Sequence, residues 1–222
     1  MPSSITRFSR SIAPLLAACV AAACATAPDQ SAPPDRTTFA YDCDDATEIV
    51  VQHRAKTNDV WAFLPGVSKA LPGVPAASGA KYSDGSITFW SKGNEALVEM
   101  GGRTLRCTEN RPRSIREDAK LRGVTFRANG NEPGWFMELT RGGNIVLVTQ
   151  FGERRYVFPT PEPVTDPVDR TTEYRTTSAG RTLVVLLEAR ECRDTMSGER
   201  FPTTVTVHLN REVLRGCGTP LH

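Results

Sequence analysis

Short windows in which apolar and polar residues alternate recur along this chain, and residues 41–110 hold no sustained 3.6-residue period. Residues 48–53 are rich in valine and isoleucine, and residues 87–90 mix β-branched with aromatic side chains. Residues 96–100 and 103–107 flank Gly101-Gly102, a two-residue hairpin signal, and Asp84-Gly85 marks another turn of that kind. The pattern resumes beyond residue 115. Residues 124–128, 135–140, 144–150, 154–158, 171–176, 181–189, 203–209 and 212–216 are short β-type runs bounded by Gly, Pro and Asn. Residues 141–144, Arg-Gly-Gly-Asn, read as a further hairpin. The prediction is an all-β protein. A small antiparallel barrel or sandwich comes first, and a second all-β barrel or sandwich of roughly eight strands follows.

Between the two halves, residues 110–120 (NRPRSIREDAK) bring in proline and charge and interrupt the strand pattern. The later cysteines fall as one pair on each side of that break, Cys43 with Cys107 and Cys192 with Cys217. Two domains, at 39–110 and 115–222, are the simpler partition.

The N-terminus predicts the compartment. Arg7 and Arg10 form a positive region, and residues 11–23 are apolar and small, short of the ~20 residues a spanning helix requires. Residues 1–23 therefore read as a cleaved leader. Ala21-Ala22-Ala23-Cys24 and Leu16-Ala17-Ala18-Cys19 both resemble the bacterial lipobox, the second more closely. Lipidation at Cys24 leaves four later cysteines, an even number, whereas lipidation at Cys19 strands an odd thiol. Cys24 is the expected anchor, with Cys19 as the alternative. Residues 24–38, proline-rich and without a large apolar side chain before the strand pattern starts, read as an extended tether. The chain is expected in the bacterial cell envelope, facing the periplasm and joined to the membrane through this N-terminal lipid.

Charge changes the picture little. The whole chain carries a formal +2, and residues 41–110 hold seven bases against nine acids, 7 − 9 = −2. No basic stripe points to a nucleic-acid partner.

Two turn-forming stretches carry the functional signal. Ser78-Gly79-Ala80-Lys81-Tyr82 and Phe89-Trp90-Ser91-Lys92-Gly93-Asn94-Glu95-Ala96, at this separation, resemble the membrane-bound inhibitor of C-type lysozyme family. The resemblance covers roughly residues 40–110. It implies an eight-stranded barrel and a C-type lysozyme as protein partner, with Ser78 and Lys92 meeting the active-site carboxyls of the enzyme. Gly79 and Gly93 each follow a contact residue and allow it to stand on a tight turn. Lys81 and Tyr82 complete the expected contact set, Tyr82 being equally readable as barrel core. Trp90 reads as core. Cys43 and Cys107 lie near the ends of this domain, as a disulfide closing the first and last strands requires. Such a staple contributes ~4 kcal/mol in the chain-entropy model.

The second half contains Gly130-Asn131-Glu132-Pro133-Gly134-Trp135 and a segment from Cys192 to Pro202, CRDTMSGERFP. Both resemble an uncharacterised bacterial envelope domain, and Cys192 with Cys217 forms a second expected disulfide. The histidines His53, His208 and His222 are isolated, and the sequence holds no nucleophile elbow, metalloprotease helix, phosphate loop or Cys-x-x-Cys. No enzymatic activity, cofactor or metal is expected. The alternative to inhibition is a structural or ligand-binding envelope lipoprotein.

Overall fold

The computed structural model describes residues 35–222, which fall in one compact unit. The leader, both candidate lipidation cysteines and most of the expected tether lie outside the described residues.

Eight strands form a closed antiparallel barrel in simple sequence order: β1 (Arg36–Cys43), β2 (Glu48–Arg54), β3 (Asp59–Leu64), β4 (Val67–Val74), β5 (Ala80–Ser83), β6 (Ile87–Lys92), β7 (Glu95–Met100) and β8 (Arg103–Glu109). Alternate residues point inward, so Val60, Ala62 and Leu64 on β3 enter the same core as Phe89 on β6 and Val98 on β7. Gly101 and Gly102 both adopt positive φ between the paired residues Met100 and Arg103, as the sequence predicts. The barrel begins earlier than expected. Arg36 to Thr38, read as the end of the tether, pair with Arg54, His53 and Gln52.

β1 meets β8 over only three residue pairs, Tyr41 with Glu109, Asp42 with Thr108 and Cys43 with Cys107. The last pair is covalent: Cys43 and Cys107 form a disulfide across the closing seam.

The segment read as a break is a helix, α1 (Arg111–Leu121). The Asn110 side chain caps it by accepting the N–H of Arg113 at 3.1 Å, and Pro112 sits in the first turn, where its missing N–H costs nothing. Lys120 lies in the last turn, on the favourable side of the helix dipole. Arg113 joins the helix to the barrel through ion pairs with Asp42 at 2.7 Å and Glu48 at 2.5 Å.

Beyond α1 come β9 (Phe126–Asn131), β10 (Gly134–Leu139), β11 (Asn144–Thr149), β12 (Arg154–Pro159), β13 (Val164–Asp166), β14 (Thr171–Ser178), β15 (Arg181–Glu188), β16 (Cys192–Arg193), β17 (Arg200–Phe201), β18 (Thr203–Leu209) and β19 (Glu212–Pro220). Nine of them build one antiparallel sheet in the order β12-β11-β10-β9-β19-β18-β15-β14-β13, while β16 and β17 pair separately. The expected second all-β unit is thus a single curled sheet. Its curl brings β12 to β14, where the Thr176 hydroxyl donates to the Pro159 carbonyl at 2.9 Å. Met137, Ile145, Leu147, Phe158, Leu183, Val185, Val205 and Leu214 fill the inside.

Glu138 on β10 ties this sheet to the helix. Its carboxylate accepts two hydrogen bonds from Arg122, at 2.8 and 2.9 Å, and one from Arg127 at 2.5 Å.

Candidate functional site

In an up-and-down barrel every second connection lies at the same rim, so the β2–β3, β4–β5 and β6–β7 turns share one end of the molecule. Residues 75–79 form the second of these turns and Gly93-Asn94 the third. Gly93 has φ +63° between the paired residues Lys92 and Glu95, the positive φ at the first central position that a type II′ hairpin requires. Ser78, Gly79, Lys92 and Gly93 are all exposed. The structure therefore brings the two sequence motifs to one rim and leaves Ser78 and Lys92, but not every residue of the expected contact set, exposed there.

The two turns are in direct contact. Ala80 pairs with Ser91 across β5 and β6, the last pair before the loops. Gly79 has φ +69°, and a Cβ placed there would stand 2.3 Å from the Ser91 carbonyl oxygen and 3.2 Å from Lys92 Cβ. Only glycine lets the serine loop settle this close to the lysine hairpin.

Trp90 differs from its sequence reading. It is only half-buried, on the outer face of β6, and its indole N–H donates to the Ser78 carbonyl at 2.8 Å. The sequence pattern shows why: Ile87 and Phe89 point inward, so Trp90, one residue out of phase, points outward. Lys81 is its direct cross-strand partner and holds its ammonium 5.6 Å from the ring centroid.

Tyr82 resolves to core. It is 4% exposed, packs against Phe89 at 6.3 Å between ring centroids, and shares a short hydrogen bond with His53 Nε2. Burial, with a contribution from the charge of Asp59, pushes its phenol above the usual value and keeps it neutral. A side chain so enclosed shapes β5 and offers a partner no surface.

Beside the lysine hairpin, a cavity of about 520 Å³ runs past Trp90, Lys92, Glu95 and Leu97 to Asp42, Asp44 and Arg106. Lys92 thus sits at the edge of a surface that carries both signs of charge. Among the described residues, no group of three or more His, Cys, Asp or Glu side chains could hold a metal ion, and no helix is long and apolar enough to cross a membrane.

The two motifs of the second half also meet, beside the first turn of α1. Asn131 and Asn129 donate to Asp194 Oδ2 at 3.1 and 3.3 Å, while Asp194 Oδ1 accepts the N–H groups of Met196 and Ser197 at 3.0 and 2.8 Å. Hydrogen bonds, from the Ser197 N–H first, hold the Asp194 carboxyl below its ordinary value against the opposing effect of burial. The Cys192–Cys217 disulfide closes the base of the same loop. This arrangement fixes a loop.

Fold and site together define a disulfide-stapled, eight-stranded barrel whose two exposed loops are joined at one rim. Residues 41–106 match the family model described as membrane-bound lysozyme-inhibitor of c-type lysozyme. The membrane-bound lysozyme inhibitor of C-type lysozyme of Yersinia enterocolitica is 48% identical over 72 residues, which are 32% of this chain and 61% of that relative. The chain therefore spans 61% of the length of the curated relative it matches. No solved structure matches the chain.

Proposed function

We propose that this barrel inhibits a C-type lysozyme by entering its active-site cleft with the two joined loops. The observation that supports the reading is the meeting of Ser78 and Lys92 at one exposed rim, inside the stretch that matches the inhibitor family. A retaining lysozyme works with a carboxylic acid and a carboxylate about 5 Å apart. A narrow protrusion bearing a hydroxyl and an ammonium suits both. The Ser78 hydroxyl donates to or accepts from a carboxyl in either protonation state, and the Lys92 ammonium pairs with the ionised one.

Inhibition here is occupancy. The chain needs no reaction of its own and protects peptidoglycan by keeping the hydrolase from its substrate. The relative is named membrane-bound, and Cys24 supplies the corresponding lipid attachment in this chain, holding the barrel on the periplasmic side of the envelope. The second sheet acts as a spacer or as a separate binding module.

The test is lysis of a peptidoglycan suspension by a C-type lysozyme in the presence of the purified mature protein. Lysis should slow in proportion to added protein and stop near equal molarity. Undiminished lysis at a several-fold molar excess would reject inhibition in favour of a structural or ligand-binding envelope lipoprotein.

A further inference from the structure

One side chain touches both halves of the proposed insertion site. The Trp90 indole donates its N–H to the Ser78 carbonyl at 2.8 Å and presents its face to the Lys81 ammonium, 5.6 Å from the ring centroid. Trp90 itself lies two residues before Lys92 on the strand that leads into the lysine hairpin. Among the described residues, residues 75–79 make no backbone–backbone hydrogen bond outside regular strands, and the bond from Trp90 is the side-chain bond that ties them to the barrel. Without it, the serine loop is held by its two ends and by the close approach of Gly79 to Ser91.

We propose that Trp90 is a positioning residue that couples the two loops, so that Ser78, Lys81 and Lys92 meet the partner as one pre-ordered unit. This rests on the inhibitor reading given above. The physical reason is the ordering cost of binding. A loop that must be fixed at the moment of association loses conformational freedom then, whereas one already fixed in the free protein has lost it on folding. The Ser78 carbonyl is the right handle for such a brace, because holding the backbone leaves the hydroxyl free for the enzyme. Lys81 adds a cross-strand contact on the same outward face, and its attraction to the ring keeps the indole from swinging away from the loop.

Two measurements on the full mature protein test this. The first needs no lysozyme. The indole N–H of Trp90 should exchange with solvent at least about tenfold more slowly than that of half-buried Trp61, as a hydrogen-bonded proton does. Equal exchange would remove the brace.

The second is dissociation from a C-type lysozyme. Trp90→Phe keeps an aromatic ring under Lys81 but deletes the donor, and should raise the dissociation rate about five- to tenfold, the value of one net hydrogen bond. The melting temperature should stay within a few degrees, which separates positioning from a general loss of fold. In the Trp90→Phe background, Ser78→Ala should cost several-fold less than it does alone, while Lys92→Ala should keep most of its effect. Unchanged dissociation of Trp90→Phe, or effects of Ser78→Ala and Trp90→Phe that simply multiply, would overturn the coupling. If the unaltered protein does not bind lysozyme at all, the inhibitor reading falls and the binding role of Trp90 falls with it. The exchange measurement then shows only whether the loop is braced.

Discussion

The Ser114 hydroxyl accepts the backbone N–H of Ala40 at 2.8 Å, so a side chain of α1 stands where β8 no longer accompanies β1. Asn110 completes the exchange by donating its own N–H to the Ala40 carbonyl at 2.8 Å. The Thr38 hydroxyl then donates to Asp118 at 3.0 Å, one strand repeat further along. The helix thus serves as the last stave of the barrel as well as the link to the second sheet.

Truncation should expose this dependence. A fragment of residues 35–122 keeps every contact between α1 and β1, and should inhibit lysozyme about as well as the full mature chain. A fragment ending at residue 110 keeps the Asn110 bond to the Ala40 carbonyl but loses the Ser114 acceptor of the Ala40 N–H and the Asp118 acceptor of the Thr38 hydroxyl, at a cost of about 2 kcal/mol. Urea titration of the two fragments checks this. Equal midpoints would mean that the helix contributes nothing to the barrel.

Ser78→Ala and Lys92→Ala should each weaken binding while the fold is retained, because both side chains are exposed. Lysine paired with a carboxylate in a closed cleft should matter more, on the order of 2 kcal/mol, and the serine about 1 kcal/mol. Lys81 is no neutral control, since it lies over Trp90. Lys56, whose side chain is 80% exposed and pairs with Asp35, is the better choice. Binding kinetics that show equal small losses for Lys56→Ala, Ser78→Ala and Lys92→Ala would reduce the interaction to general charge attraction.

The two glycines of the rim should respond differently to substitution. Both have positive φ, but a Cβ at Gly93 meets open space whereas one at Gly79 meets the Ser91 carbonyl. Asparagine at either position is strained by the positive φ, but only at Gly79 does it also meet a fixed carbonyl. Gly93→Asn should therefore lower the melting temperature modestly, and Gly79→Asn should lower it further and weaken inhibition together. Similar melting curves for the two variants would show that the loops are not packed as described.

Acid should act through Glu138. Burial favours the neutral carboxyl, and so does the charge of Asp118, but hydrogen bonds and charge from Arg122 and the charge of Arg127 outweigh them and hold it below the ordinary range. With the folded value depressed, the stability it contributes is complete above the unfolded value of about 4.3 and is lost as pH falls through the folded one. Melting temperature should therefore drop more steeply below about pH 4 in the natural protein than in Glu138→Gln. At neutral pH that substitution should cost on the order of 3 kcal/mol, because Arg127 is left buried beside an uncharged amide. Parallel acid limbs for the two proteins would assign the acid response elsewhere.

At the N-terminus, Cys24→Ser should release the protein from the membrane fraction. Mass spectrometry of the mature chain gives the direct answer, and a lipid on Cys19 would show that the closer lipobox match outweighs the parity of the cysteines.

Much of this fold was legible because strands of this kind announce themselves through alternation and glycine turns. Gly101-Gly102 and Arg141-Gly142-Gly143-Asn144 mark hairpins where the sequence places them, with Gly142 at φ +66°. The helix was not legible by the same route. Only Ser114 and Ala119 are buried on it, so it has almost no apolar stripe, and what specifies it is the Asn110 cap, Pro112 and the ion pairs of Arg113. A capping signal followed by proline was there to be read. The rim shows the same division. Adjacent motifs and glycines pointed to the loops, but the outward phase of Trp90 against Phe89, and its bond to a backbone carbonyl twelve residues earlier, exist only once β5 and β6 are in register.

The disulfides are consecutive along the chain, Cys43 with Cys107 and then Cys192 with Cys217, without interleaving. A polypeptide entering an oxidising compartment N-terminus first presents the barrel pair before either partner of the second bond has arrived. Joining these thiols in order of appearance yields the native set directly. Oxidative maturation of residues 35–222 can then proceed by formation alone, without the slower reshuffling that crossed pairings require.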